Sequence, residues 1–101
     1  MSEPHTKPET WAQASAGWSE ELFKIRVLQT KSIPHLKAAL EYEKETRNRG
    51  DRLTTLSSQL DKAIQKKDTY DLREAIEAEV EKENPDREFI GHVNTELQER
   101  K

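Results

Sequence analysis

The side chains here whose ordinary pKa lies closest to neutrality are His5, His35 and His92, the first place to look for acid–base or metal chemistry. They are far apart in sequence, and no two share the His-x-x-x-His spacing that aims two imidazoles at one ion from a helix. His92 and Glu96 are four apart, one turn of helix, which reads as an exposed polar pair rather than a ligand set. Carboxylates are plentiful, but they lie in charged stretches with no apolar pocket to drive two of their pKa values apart. The glycines Gly17, Gly50 and Gly91 are isolated, so there is no phosphate-cradling loop. The absence of cysteine removes thiolate nucleophiles, thiolate metal sites and disulfides. The expectation is a protein that is not an enzyme, with no catalytic residue, metal, cofactor or small-molecule substrate.

Residues suited to binding are easier to find. Arg47, Arg49 and Arg52 cluster around Gly50, with Lys66 and Lys67 farther along, and bases on one face are what phosphate contact requires. Glu41, Glu43, Glu45, Asp51 and Asp61 are interleaved with them, and a chain with a pI near 5.7 repels a polyanion overall. A small helical nucleic-acid-associated regulator using the bases around Gly50 is therefore the alternative reading and not the first. Arg49-Gly50-Asp51 also spells an adhesive tripeptide, but a helix terminator at Gly50 and a cap at Asp51 account for two of its three letters.

The leading reading is a helical protein-interaction module: an adaptor, assembly subunit or regulator that completes its core against another protein chain, in a homo-oligomer or a heteromeric complex. Its candidate contacts are Trp11, Trp18, Phe23 and Tyr42, because aromatic side chains give large contact area for little lost entropy. Trp11 is expected to anchor the partner, since Pro4, Pro8 and polar neighbours leave its segment little core of its own. On that view, Trp11→Ala weakens association and leaves the melting of the isolated chain nearly untouched. The acids from Asp71 to Glu88 outnumber the bases Arg73, Lys82 and Arg87, and would form a solvated face or a dock for a basic partner.

The elements that must position these residues are read from periodicity. Leu36-Lys37-Ala38-Ala39-Leu40, Leu60-Asp61-Lys62-Ala63-Ile64 and Leu72-Arg73-Glu74-Ala75-Ile76 repeat one phrase, Leu-x-x-Ala-Leu/Ile. At about 100° per residue its first and last members share a helix face, beside a small alanine that permits close approach. The last two copies would lie on different faces of one unbroken helix. Lys66-Lys67 followed by Asp68 and Asp71 marks a break there, the other possibility being one long helix with a winding stripe.

The fold class is all-α: four to five short amphipathic helices in a small bundle or open helical array, with a mobile N-terminal arm over residues 1–17 and a helical domain over 18–101. Breaks are expected near Ser32-Ile33, Gly50-Asp51, Asp68 and Asn84. The expected starts are Ser19 as a cap with Trp18 stapled over Phe23, Asp51 as a cap, and Asn84 as a cap with Pro85 in the first turn. The expected core is Leu22, Ile25, Leu36, Leu40, Leu53, Leu56, Leu60, Ile64, Leu72, Ile76, Ile90, Val93 and Leu97.

Leu, Ile, Val and Phe make up about a fifth of the 101 residues, a low apolar content offset by a net charge of only −3 and by clean periodicity. No segment approaches the roughly 20 apolar residues needed to cross a bilayer, and none has the form of a secretion signal. The expected location is the cytoplasm, without membrane contact.

Overall fold

A computed structural model of the chain describes residues 7–100, and every regular element among them is α-helix. The six helices are α1 (Pro8–Ala16), α2 (Glu20–Gln29), α3 (Ile33–Glu45), α4 (Gly50–Lys66), α5 (Thr69–Val80) and α6 (Arg87–Glu99). They fall into two compact units, Met1–Ala63 and Ile64–Lys101, with α4 running through the boundary. Among the described residues, no helix is long and apolar enough to cross a membrane.

One helix more than expected comes from the segment read as a mobile arm. From Pro8 onward that segment is α1. Pro8 occupies the first helical position, where its missing N–H costs nothing, and Glu9 sits in the positive first turn. The proline that argued against a helix starts one. Ala12, Ser15 and Ala16 are buried and small, and α1 packs along α3. Pro4 and His5 lie outside the described residues.

Expected breaks appear at every site, with changes in the capping residue. Ser19 accepts from the Leu22 amide at 3.3 Å, and Asp68 accepts from the Asp71 amide at 3.0 Å, separating α4 from α5. Asn84 does not cap α6. Asp86 does, accepting from the Phe89 amide at 3.2 Å, so that Pro85 precedes the helix. Asp51 lies inside the first turn of α4, and the Leu53 amide reaches the Arg49 carbonyl at 3.0 Å. Asn48, with φ at 52°, takes the left-handed conformation that asparagine tolerates and turns the chain from α3 into α4.

In the first unit the interior holds Trp11, Phe23, Val27, Ile33, Leu36, Ala39, Leu56 and Leu60. Leu40 and Leu53, expected in the core, are partly exposed at its margin. In the second unit α5 packs on α6, and Leu72 and Val93 are fully enclosed, with Phe89 beside them among the buried residues. Ile76, Ile90 and Leu97 are only partly covered. Buried Glu79 accepts from the Asp86 amide at 2.8 Å, tying α5 to the start of α6.

With only three glycines, the chain has few of the residues that usually close a helix C-terminus. Side chains from elsewhere supply the donors instead. Arg49 and Arg52 donate to carbonyls at the end of α1, Gln59 to Leu28 and Thr30 at the end of α2, and Arg100 to Ile64 and Gln65 at the end of α4. Arg52 and Gln59 share the inward stripe of α4 with Leu56, Leu60 and Ala63, so the same helix face carries both packing and clasps.

Candidate functional site

The largest departure from the sequence expectation is in α2. Leu22 and Ile25 belong to the expected core, with Leu28 on the same stripe, yet they are 36%, 53% and 57% exposed. The buried pair is Phe23 and Val27, four residues apart on the opposite face. At about 100° per residue, Leu22, Ile25 and Leu28 span roughly 120° centred on Ile25, almost diametrically opposite Phe23 and Val27. The helix thus has two apolar faces, of which one faces solvent.

Local interactions explain which face turned inward. The Arg52 guanidinium lies 4.5 Å from the centre of the Phe23 ring, and its Nη1 and Nη2 donate to Ser15 O at 3.2 Å and Trp18 O at 2.7 Å. Phe23 is thereby held under a cation that also closes the end of α1. The Trp18 ring, expected over Phe23, stands edge-on to Trp11 at 5.5 Å, with the Arg26 guanidinium 5.2 Å from its ring centre.

Beside the exposed ridge, α2 and α4 frame an open groove of about 280 Å³ lined by Lys24, Leu28, Thr54, Thr55, Ser58, Gln59 and Lys62. Its charged groups are both cations, and neither Lys24 nor Lys62 has a carboxylate partner among the described residues. The Thr54 and Thr55 hydroxyls donate back to the Gly50 and Asp51 carbonyls at 3.0 Å. A second groove of about 480 Å³ lies on the other flank of α4, between Leu40 and Lys44 of α3 and Leu53, Ser57 and Asp61 of α4.

The aromatic residues expected to meet a partner are placed differently. Trp11 is 6% exposed, enclosed between α1 and α3 with its ring edge-on to His35 at 5.8 Å. Phe23 is buried, while Trp18 and Tyr42 are partly covered. A side chain already enclosed by its own unit offers no area to another chain, so Trp11 and Phe23 act here as core. His35 is itself buried, with Nδ1 2.6 Å from the Ser32 hydroxyl. Among the described residues no group of three or more His, Asp or Glu is arranged to hold a metal ion.

The bases around Gly50 do not form one solvent-facing cluster. Arg49 makes a two-pronged contact with the Glu43 carboxylate, from Nε at 2.8 Å and Nη2 at 3.1 Å, and Nη2 also donates to Ala16 O at 3.1 Å. Arg52 is 5% exposed and committed to α1. Arg47 and Lys66 are exposed, and Lys67 is partly so. Two of the three arginines that suggested phosphate contact therefore serve the fold.

Glu43 is 2% exposed, and its carboxyl is held below the usual glutamate range. The hydrogen bond from the Arg49 side chain is the main cause. Burial opposes it, and the Arg49 amide and the charges of Arg49 and Arg52 add to it. A carboxyl depressed in the folded state contributes stability that is complete above its unfolded pKa and lost as pH falls through the folded value. Thermal midpoints are thus expected to fall on acidification below about pH 4.3, with part of that fall missing in Glu43→Gln. Equal acid sensitivity of the two proteins would remove Glu43 from the account.

The chain was compared with protein-family models, curated proteins and solved structures, and it matches none. The exposed face of α2 with its cationic groove is accordingly the candidate site on geometry alone. Sequence reasoning missed it because leucine and isoleucine three apart are as good a core stripe as Phe23 and Val27 four apart. The one sequence signal for the alternative was that α2 carries apolar residues around most of its circumference.

Proposed function

We propose that the protein is a helical interaction module, an adaptor, assembly subunit or regulator, whose contact surface is the outer face of α2 and the groove beside it. One observation carries the reading: three large aliphatic side chains, Leu22, Ile25 and Leu28, stand together on one helix face in solvent. Isolated exposed leucines are ordinary, but a contiguous apolar face rimmed by polar groups marks a binding surface. Leu, Ile, Val and Phe number only nineteen in the chain, and this ridge places three of them in solvent. The rim is polar and charged, with Glu21 at the N-terminal end, Lys24 on one side and Arg26 on the other, as expected around an apolar contact centre. The work of such a surface is binding, and no bond-making step is assigned to it.

The test is a photo-crosslinking side chain at position 25, with the same group at exposed Asn94 of α6 as control. Illumination in cells producing the protein is expected to join position 25 to another polypeptide, and Leu22→Asp with Leu28→Asp is expected to abolish the adduct. Adduct formation at position 25 no greater than at position 94, or insensitive to the aspartates, would overturn the reading.

A further inference from the structure

The occupant of the α2 face can be argued from charge. Exposed Glu21 stands at the N-terminal end of the ridge, but the groove beside Leu28 holds two cations, Lys24 and Lys62, neither with a carboxylate partner among the described residues, and two such grooves brought together would repel. The ridge calls for a surface that is partly apolar and negatively charged. This chain carries one on α5. Tyr70 is 68% exposed, and Glu74 and Glu77 are exposed on the same helix face, at i, i+4 and i+7. Arg73 lies roughly 65° to one side of that line. The neighbouring Glu74 carboxylate, with smaller contributions from Glu77 and Asp71, pushes the Tyr70 hydroxyl above its usual range. Val80, 54% exposed, adds an apolar residue at the end of the helix.

We infer that the α2 ridge of one molecule binds the Tyr70-Glu74-Glu77 face of α5 in a second copy of the same chain. This rests on the reading of α2 as a contact surface and adds the identity of the partner. Tyr70 lies over Ile25 and Leu28, and Glu74 and Glu77 meet Lys24 and Lys62. The contact joins two different surfaces, so each bound copy still presents one free α2 and one free α5. Such head-to-tail pairing extends past the dimer unless a ring closes. A contact of about one helix on one helix is small, and the association is accordingly weak and concentration-dependent.

Sedimentation equilibrium of the full chain over a range of concentrations tests this. The weight-average mass is expected to rise from 11.8 kDa past that of a dimer, and to rise less at high salt. The charge-reversed variants Lys24→Glu/Lys62→Glu and Glu74→Lys/Glu77→Lys are each expected to remain monomeric alone and to associate when mixed, since mixing restores opposite charges. Circular dichroism on each confirms that it is folded. A wild-type mass of 11.8 kDa at all concentrations overturns the inference, as does a plateau at the dimer that Glu74→Lys/Glu77→Lys leaves unchanged. If position 25 still crosslinks to a different polypeptide while the wild type stays monomeric, the partner assignment fails and the α2 contact surface stands. If neither occurs, both fail.

Discussion

Trp11→Ala is expected to destabilise the folded chain by about 3 to 5 kcal/mol, the usual cost of deleting a large aromatic side chain from a packed interior. Trp11 is 6% exposed, holds α1 against α3, and meets Trp18 and His35 edge-on at 5.5 and 5.8 Å. Removing it opens a cavity that the short α1 helix cannot refill without shifting. Single domains are stable by only about 5 to 15 kcal/mol, so much of the total is at stake. Denaturant unfolding followed by circular dichroism measures the loss. An unchanged midpoint would return Trp11 to the role of surface anchor that its polar, proline-bearing sequence neighbourhood suggests.

The second large effect is expected at Arg52. Its guanidinium closes the end of α1 through two carbonyls and covers the Phe23 ring, while the residue as a whole is 5% exposed. Hydrogen bonds to charged groups contribute about 1.5 to 3 kcal/mol each, and although the Ser15 carbonyl keeps the Trp18 amide at 3.2 Å, both contacts of the guanidinium and its cover over Phe23 are lost together. Arg52→Ala is therefore expected to cost about 3 kcal/mol or more. Arg52→Lys keeps the charge but cannot span both carbonyls with a planar fork, and should fall between alanine and the native residue. Equal stability of the alanine variant in thermal melts would mean that water serves those carbonyls as well as arginine does.

Both residues show where sequence periodicity stopped being informative. The helices α3 to α6 are legible because Leu36, Leu56, Leu60, Leu72 and Val93 repeat at helical spacing on one face and because Ser32, Asp68 and Asp86 or their neighbours punctuate them. Periodicity reports which residues share a face, but not which of two apolar faces meets the core. In α2 that choice was made by Arg52, which is distant in sequence and reads from sequence as a surface cation. The same arginine reads as a phosphate contact until its carbonyl partners are seen. Glu43 likewise looks like one acid in a charged run, and only the fold brings Arg49 around to bury it. Among the residues that serve the fold through polar contacts, Arg52 and Gln59 fall on the Leu56-Leu60-Ala63 stripe but are polar, so a search for apolar periodicity passes over them, as it does over Arg49, Glu79 and Arg100. The candidate site was hidden for the converse reason, since Leu22, Ile25 and Leu28 carry a periodic signature that belongs to a surface.

The Leu22-Ile25-Leu28 face of α2 lies outside the folded unit while Phe23 and Val27 lie within it. Thermal unfolding of Ile25→Glu, followed by circular dichroism at a concentration low enough to exclude association, reads this orientation without a partner. A charge placed on a solvent-facing position is expected to change stability by no more than about 0.5 kcal/mol, leaving the midpoint essentially where it was. A loss of more than about 2 kcal/mol, as for a charge forced into a packed interior, would place Ile25 in the core and remove the contact surface from the account.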